Sequence, residues 1–389
     1  MVHRSLLAVL CLAIPVAAQT KAPASTAQIR SFYEAGLKRN GIVGSSLMLI
    51  RNGQLVLNDN YGRQSATQPV DDNTTYHWAS VTKTFTGIAI MQLRDRGLIS
   101  LDDPLIKYIP ELAAVHDPYG PISAITIREA MSHSSGFRDP TWPWRNADWQ
   151  PFEPTQWSQI VAMLPYTEIK FKPGTKYSYS NLAVVFLGEI IERISGDQFE
   201  VYMRKNVFGP LGMDRSYYDR SPYTLLQFRS HSWDLKDGKF LEDPFDFNTG
   251  ITRSNGGLNA PLKDMLKYVQ FLLGDPAHQA EYDAILKRSS LEEMWRPVLP
   301  VVPDADFPSR PGAHDSVAES FFVHTDGKLT LIGHPGWQNG FRSQINLDPA
   351  TRSAYIVDYN TDAQDAEQNT RAFNIELRDY LIDHFFGKN

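Results

Sequence analysis

Beyond its leader segment the chain has no cysteine, since the only one is Cys11. A disulfide framework, a thiol nucleophile and a cysteine-based metal site are all excluded from the body of the protein. Long apolar runs are missing too. After residue 18 none approaches the roughly 18 consecutive residues that a membrane-spanning helix needs. No cluster of Lys or Arg breaks the even scatter of charge, and the formal net charge is -6. Binding to phosphate backbones requires a basic face, so nucleic acid is not an expected partner. The motifs G-x-S-x-G, H-E-x-x-H, Walker A and G-x-G-x-x-G are absent, as are fixed-period repeats and low-complexity tracts.

What is present is a chain of 389 residues, 42% hydrophobic and 12% aromatic. That is enough to bury a large core. Its first segment, residues 1–18 (MVHRSLLAVLCLAIPVAA), has an early Arg4, an apolar run from Leu6 to Val16 and small residues before Gln19. It reads as a cleaved signal peptide, which leaves residues 19–389 as the working unit and implies a periplasmic or secreted protein. The leucine before Cys11 is too large for the usual lipid-attachment pattern.

A helix is expected over residues 27–38. It is followed by SSLMLIRNGQLVLNDN, two strand-like runs joined by Asn52-Gly53, the strongest short-range hairpin signal. Near the other end KLTLIGH, SQINLDP and SAYIVDYN read as strands, with an amphipathic helix over about 365–384. Between them helices are expected at 81–96, stopped by Gly97, at 126–132, at 181–194, stopped by Gly196, and at 261–273. The simplest architecture is an α+β fold. Residues 26–98 and 320–389 form an antiparallel sheet flanked by the terminal helices, residues 99–319 form a mainly helical part, and the site lies in the cleft between them.

Three short motifs carry chemistry. In HWASVTKTF, Ser80 and Lys83 are three residues apart at a helix start, so hydroxyl and amine share a face near unpaired backbone N–H groups. In PGTKYSYSN, Tyr179 and Asn181 stand just before a helix, where a tyrosine can serve as a general base. In LIGHPGWQNGF, His334 and Gly336 lie at a strand end. Gly336 would let a substrate approach the backbone there, and the N–H of Trp337 can join that of Ser80 as an oxyanion hole. Each has a plain structural alternative when read alone: Ser80 as a helix cap with Lys83 solvated, Tyr179 packed beside a capping Asn181, and His334 as a structural residue.

The ordered set S-x-x-K, Y-x-N, H-x-G resembles the serine hydrolase family that includes class C β-lactamases, D-Ala-D-Ala peptidases, D-aminopeptidases and related esterases. The resemblance spans nearly the whole mature chain. It extends to RGLISLDDPLIKYIPEL, IREAMSHSSGF, PLGM at 210–213 and SNGGLNAPLKDM at 254–265.

It implies a serine hydrolase with Ser80 as the acylated nucleophile, Lys83 as its base and Tyr179 as the proton relay to the leaving group and the deacylating water. Asn181 would hold Lys83 or a substrate amide, and His334 would stand where the β-lactamase version has a lysine. No cofactor and no metal is implied, and the partner is a small-molecule or peptide substrate. Two departures bear on specificity. A histidine at 334 is less permanently charged than lysine, and a limb in the activity profile near neutral pH is expected from its ionisation. Pro335 lacks the hydroxyl usual at that position, which leaves Arg342 as a substitute anchor for a substrate carboxylate.

The segment 139–157, with four tryptophans and four prolines, reads as a rim or lid. His133 reads as a structural turn residue. Three functions follow in order: a secreted hydrolase of small esters or amides; a β-lactamase or penicillin-binding D-Ala-D-Ala carboxypeptidase; and a catalytically silent penicillin-binding or sensor protein. Oligomeric state is left open.

Overall fold

A computed structural model describes residues 23–138 and 154–387, apart from 237, 245, 247–248, 304–307 and 366. The leader and most of the Trp- and Pro-rich segment thus lie outside the described residues. Helix α1 (Thr26–Arg39) begins at a capping box between Ser25 and Gln28. Strands β1 (Gly44–Arg51) and β2 (Gln54–Gly62) follow. Their turn places Asn52 and Gly53 at φ of 52° and 77°, the left-handed pair that a two-residue hairpin requires.

Helix α2 (Thr82–Asp95) is buried from Thr82 to Leu93 on every side, as befits a helix threading the centre of a domain. Helix α3 (Asn181–Ser195) is capped by Ser180 and ends at Gly196. Helix α4 (Leu262–Leu273) follows. The short strands β3 (Leu299–Pro300) and β4 (His314–Val317) precede β5 (Phe322–Asp326), β6 (Leu329–Gln338), β7 (Phe341–Asp348) and β8 (Ser353–Tyr359). Helix α5 (Thr370–His384) closes the chain. The eight strands form one antiparallel sheet in the order β2-β1-β8-β7-β6-β5-β4-β3.

The α+β class and the union of the chain's ends in one sheet match the sequence reading. Two details differ. Strands β3 and β4 come from the stretch expected to be mainly helical, which also contributes short strands at 217–218, 232–236, 239–243 and 258–261. The last helix starts at Thr370 because Asn369 caps it, accepting from the N–H of Ala372. Among the described residues no helix is long and apolar enough to cross a membrane.

Strand alternation gives the sheet two unlike faces. Leu47, Leu49, Leu331, Tyr355 and Val357 pack against α1 and α5 in one core. Ile332, Ile345, Leu347 and Ile356 pack against α2, α4 and the helical part in a second, larger core. The turn at 77–81 lies on this second face.

Asp358, on β8, is completely buried there, level with Ser46 and Ser343. Desolvation pushes its carboxyl well above the usual range, outweighing the Tyr359 N–H. The folded chain therefore keeps this proton at pH values where the unfolded chain has released it. Stability falls as pH rises above about 4, the ordinary carboxyl value. Asp358→Asn is expected to remove this contribution: melting curves taken across pH 4 to 8 should flatten relative to wild type, and an unchanged slope would refute the assignment.

Candidate active site

The turn preceding α2 is held on three sides. Trp78 donates from its backbone N–H to Leu258 O at 2.8 Å and from its indole to Ala260 O at 2.8 Å. Its own carbonyl accepts from Ser343 Oγ at 2.9 Å. Gly336 on β6 lies so close that a Cβ there would stand 2.4 Å from that carbonyl. This approach brings β6 against the 79–81 turn. Between these restraints Ala79 takes a φ of 46°, a left-handed conformation costly for a residue with a side chain.

Ser80 follows, and its hydroxyl does not cap the helix; neither the 79–81 turn nor α2 has a side-chain cap at its start. Instead Ser80 Oγ accepts from Lys83 Nζ at 3.0 Å and from Tyr179 Oη at 2.8 Å. The buried Lys83 amine also donates to the carbonyl of Asn255 at 2.7 Å and sits 4.9 Å from the Tyr179 ring centroid. Asn255 is delivered by the 253–256 turn, which docks on α3 at Gly188; a Cβ at Gly188 would meet Ser254 Oγ at 2.4 Å.

Tyr179 is positioned by His133, at a φ of 51°, whose carbonyl accepts from Ser178 N at 2.8 Å and whose Nδ1 accepts from Ser180 N at 3.1 Å. The two rings stack at 4.3 Å. His133 thus acts through Tyr179, in keeping with its reading as a turn residue. Ser180 caps α3 by accepting from Ala183 N, which leaves Asn181 at the helix start as part of the cleft wall.

His334 lies on β6 on the same face, 6.4 Å ring to ring from Tyr179 and 5.0 Å from Phe322, and only 1% exposed. Burial, then the Lys83 charge, draws its pKa down to about 3 against the smaller pull of the Pro335 carbonyl. The imidazole is neutral at neutral pH. Its Nδ1–H donates to Pro335 O at 2.6 Å, and Nε2 has no hydrogen-bond partner among the described residues. The expected limb near neutral pH therefore cannot come from His334. His133 is drawn down as well, by burial and then by Lys83 and His334.

Arg342 is also corrected. It registers opposite Trp337, one residue out of step with Gly336 and Ser343, so its side chain leaves from the far face of the sheet. There it pairs with Asp362 at 2.8 Å and stacks 4.8 Å from the Trp337 ring. The Trp337 indole donates to the same carboxylate at 2.7 Å. Neither side chain faces Ser80. Trp157, at the end of the expected lid, donates to Glu111 and lies beneath Arg193; residues 139–153 lie outside the described residues.

The cleft opens into a cavity of about 1270 Å³ lined by Ser80, Tyr179, Asn181, Asn255, His334 and Gly336 among others. Sequence reasoning missed Asn255 because its contribution is a backbone carbonyl, which no residue type signals. It also missed His77 and Gln338, whose 3.1 Å contact ties the turn to the end of β6.

A serine freed from helix capping and shared by an amine and a phenol meets the requirement of an activated nucleophile, on an α+β scaffold. The family model described as Beta-lactamase matches residues 29–379, and the chain belongs to that family. It is 23% identical over 355 residues to Protein flp of Staphylococcus aureus (strain COL), covering 91% of this chain but only 66% of that relative's length. Among solved structures it resembles the octameric penicillin-binding protein homologue of Pyrococcus abyssi, with a TM-score of 0.76, 23% identity and coverage of 94% of this chain and 78% of that one. It also resembles a D-stereospecific amidohydrolase from Streptomyces, with a TM-score of 0.69, 20% identity and coverage of 94% and 100%. At these identities the likeness to solved structures is one of fold.

Gly336→Ala should push β6 away from the turn by the missing space. A displacement near 1 Å costs about 100-fold in turnover. Steady-state rates on an activated ester should show this loss in kcat with little change in melting temperature; wild-type kcat in the variant would refute the role of this approach.

Proposed function

We propose that the protein is an exported serine hydrolase that cleaves small esters or amides through an acyl-enzyme on Ser80. The observation that carries this reading is the double hydrogen bond to Ser80 Oγ from Lys83 and Tyr179. Ser80 Oγ attacks the substrate carbonyl while its proton passes to Lys83, which has first shed its own ammonium proton, and the oxyanion is held by the N–H groups of Ser80 and Trp337. Tyr179 delivers a proton to the departing alcohol or amine, leaving the acyl group on Ser80. In the second half Tyr179 takes a proton from water, which attacks the ester and releases the acid. The apolar leader supports export.

The same geometry favours substrates without an anionic group beside the reacting carbonyl. His334 is neutral, Pro335 offers no backbone N–H, and Arg342 is committed to Asp362 on the other face. A carboxylate there would meet a lone pair at Nε2 rather than a cation. This supports an esterase or amidase over a β-lactamase or carboxypeptidase, the readings suggested by the names of some relatives. The intact Ser80, Lys83 and Tyr179 contacts speak against a silent binding protein.

A fluorophosphonate reagent should label wild type and leave Ser80→Ala unlabelled; equal labelling of both would overturn the nucleophile. Intact mass after incubation with short p-nitrophenyl esters, D-amino acid amides and penicillins should show a transient acyl adduct with the first two. A lasting penicillin adduct without ester turnover would move the assignment to a penicillin-binding peptidase. Tyr179→Phe should lower kcat by about 100- to 10,000-fold. Because His334 gains a proton only near pH 3, His334→Gln should change KM while the limbs of the pH profile between 5 and 8 stay in place. Loss of a limb in that range would contradict its neutral state.

A further inference from the structure

The cavity that holds Ser80 continues to the opposite face of the sheet. Strand β6 pairs with β5 only over 329–333, so its later residues have a strand neighbour on one side alone, and the cavity passes that free edge. On the far face it is lined by side chains that have no part in the Ser80 chemistry. Gln344 and Asn346 leave β7 there, opposite Pro335 and Gly333, and His324 leaves β5 opposite Leu331 of the α1–α5 core. From α5 come Arg371, Asn374 and Arg378, spaced i, i+3 and i+7 along one stripe.

This lobe is polar, buried on its strand side and half-buried on the side of α5. His324 is 7% exposed, and its Nδ1 meets Asp315 at 2.8 Å. Burial pushes the Asp315 carboxyl up, yet His324 and Ser309 outweigh it and hold it below the usual range. The ionised carboxylate fixes Nδ1 as the donor, and Nε2 has no partner among the described residues. Asn374 donates to Gln344 at 3.4 Å while its own Oδ1 is also without a partner. Asn346 donates to Tyr355 Oη at 2.9 Å, which locks its amide. Gly333 keeps the floor open, since a Cβ there would meet Asn346 Oδ1 at 2.2 Å. A buried acceptor left unmade costs about 1–3 kcal/mol, so two of them around one polar lobe point to an absent ligand.

We propose that this lobe binds a small hydroxycarboxylate. The guanidinium groups of Arg371 and Arg378 take the carboxylate, as planar forks suited to it. Its hydroxyl donates its single proton to Asn374 Oδ1, with His324 Nε2 as the alternative acceptor. Arg378 already spends Nε on Asp379 and one terminal nitrogen on the Pro308 carbonyl, which holds its side chain in place for the ligand. The site does not depend on the acyl-enzyme chemistry proposed for Ser80.

The test is calorimetric titration of the whole protein with 3-hydroxybutyrate and, for comparison, butyrate, which has the carboxylate without the hydroxyl. Wild type and Ser80→Ala should bind 3-hydroxybutyrate equally, and butyrate about tenfold more weakly, the loss of one hydrogen bond. Arg371→Gln and Asn374→Leu should each weaken binding at least about tenfold while keeping ester turnover, which shows that they fold. Absence of saturable binding to wild type up to about 10 mM would overturn the proposal. So would binding that Ser80→Ala abolishes, or binding that neither Arg371→Gln nor Asn374→Leu weakens.

Discussion

The fold's chemistry depends on how the 77–81 turn is gripped. The turn is pinned between β6, the Leu258–Pro261 strand and Ser343, with Gly336 admitting the Trp78 carbonyl where any side chain would exclude it. That grip holds Ala79 in a strained conformation and points the next hydroxyl away from its own helix start. A serine at the head of a helix would normally satisfy a backbone N–H. Here the hydroxyl is instead free to accept from two side chains brought in by separate elements.

The site's electrostatics follow from burial. Lys83 lies at the centre of a buried cluster, and its charge adds to desolvation in keeping His133 and His334 neutral. The two imidazoles therefore work through shape and hydrogen bonds. His133 stacks on Tyr179 and fixes the backbone on both sides of it. His334 presents a lone pair to the cleft. A permanently charged lysine at that place would draw anionic substrates, whereas a neutral acceptor selects for groups that can donate.

The parts of this design that were legible in the sequence are those set by local rules. Asn52-Gly53 announced the hairpin, apolar periodicity announced α2 and α3, and the three short motifs named Ser80, Lys83, Tyr179 and His334, which the structure gathers around one cleft. The illegible parts are tertiary. Strands β3 and β4 have two and four residues and are held by pairing with each other and, through β4, with β5, so no periodicity marks them. Arg342 was placed by its nearness in sequence to Gly336, but register assigns faces residue by residue, and one step sends a side chain through the sheet. The protonation of His334 depends on how deeply it is buried, and residue type carries no record of that.

Register also explains the use of proline in this strand. Pro335 lies where β6 has β7 on one side and no strand on the other, the setting in which a sheet tolerates a residue without an N–H. An extended peptide binding beside β6 would pair through backbone donors and acceptors, as edge strands commonly recruit peptides. Proline removes one donor from a short free stretch whose remaining length runs only from His334 to Gln338. On the proposed hydrolase reading, a peptide chain would lose part of its ladder there, whereas a small ester held mainly at its carbonyl would lose nothing. The substitution thus tilts the cleft toward compact substrates, in the same direction as the neutral imidazole beside it.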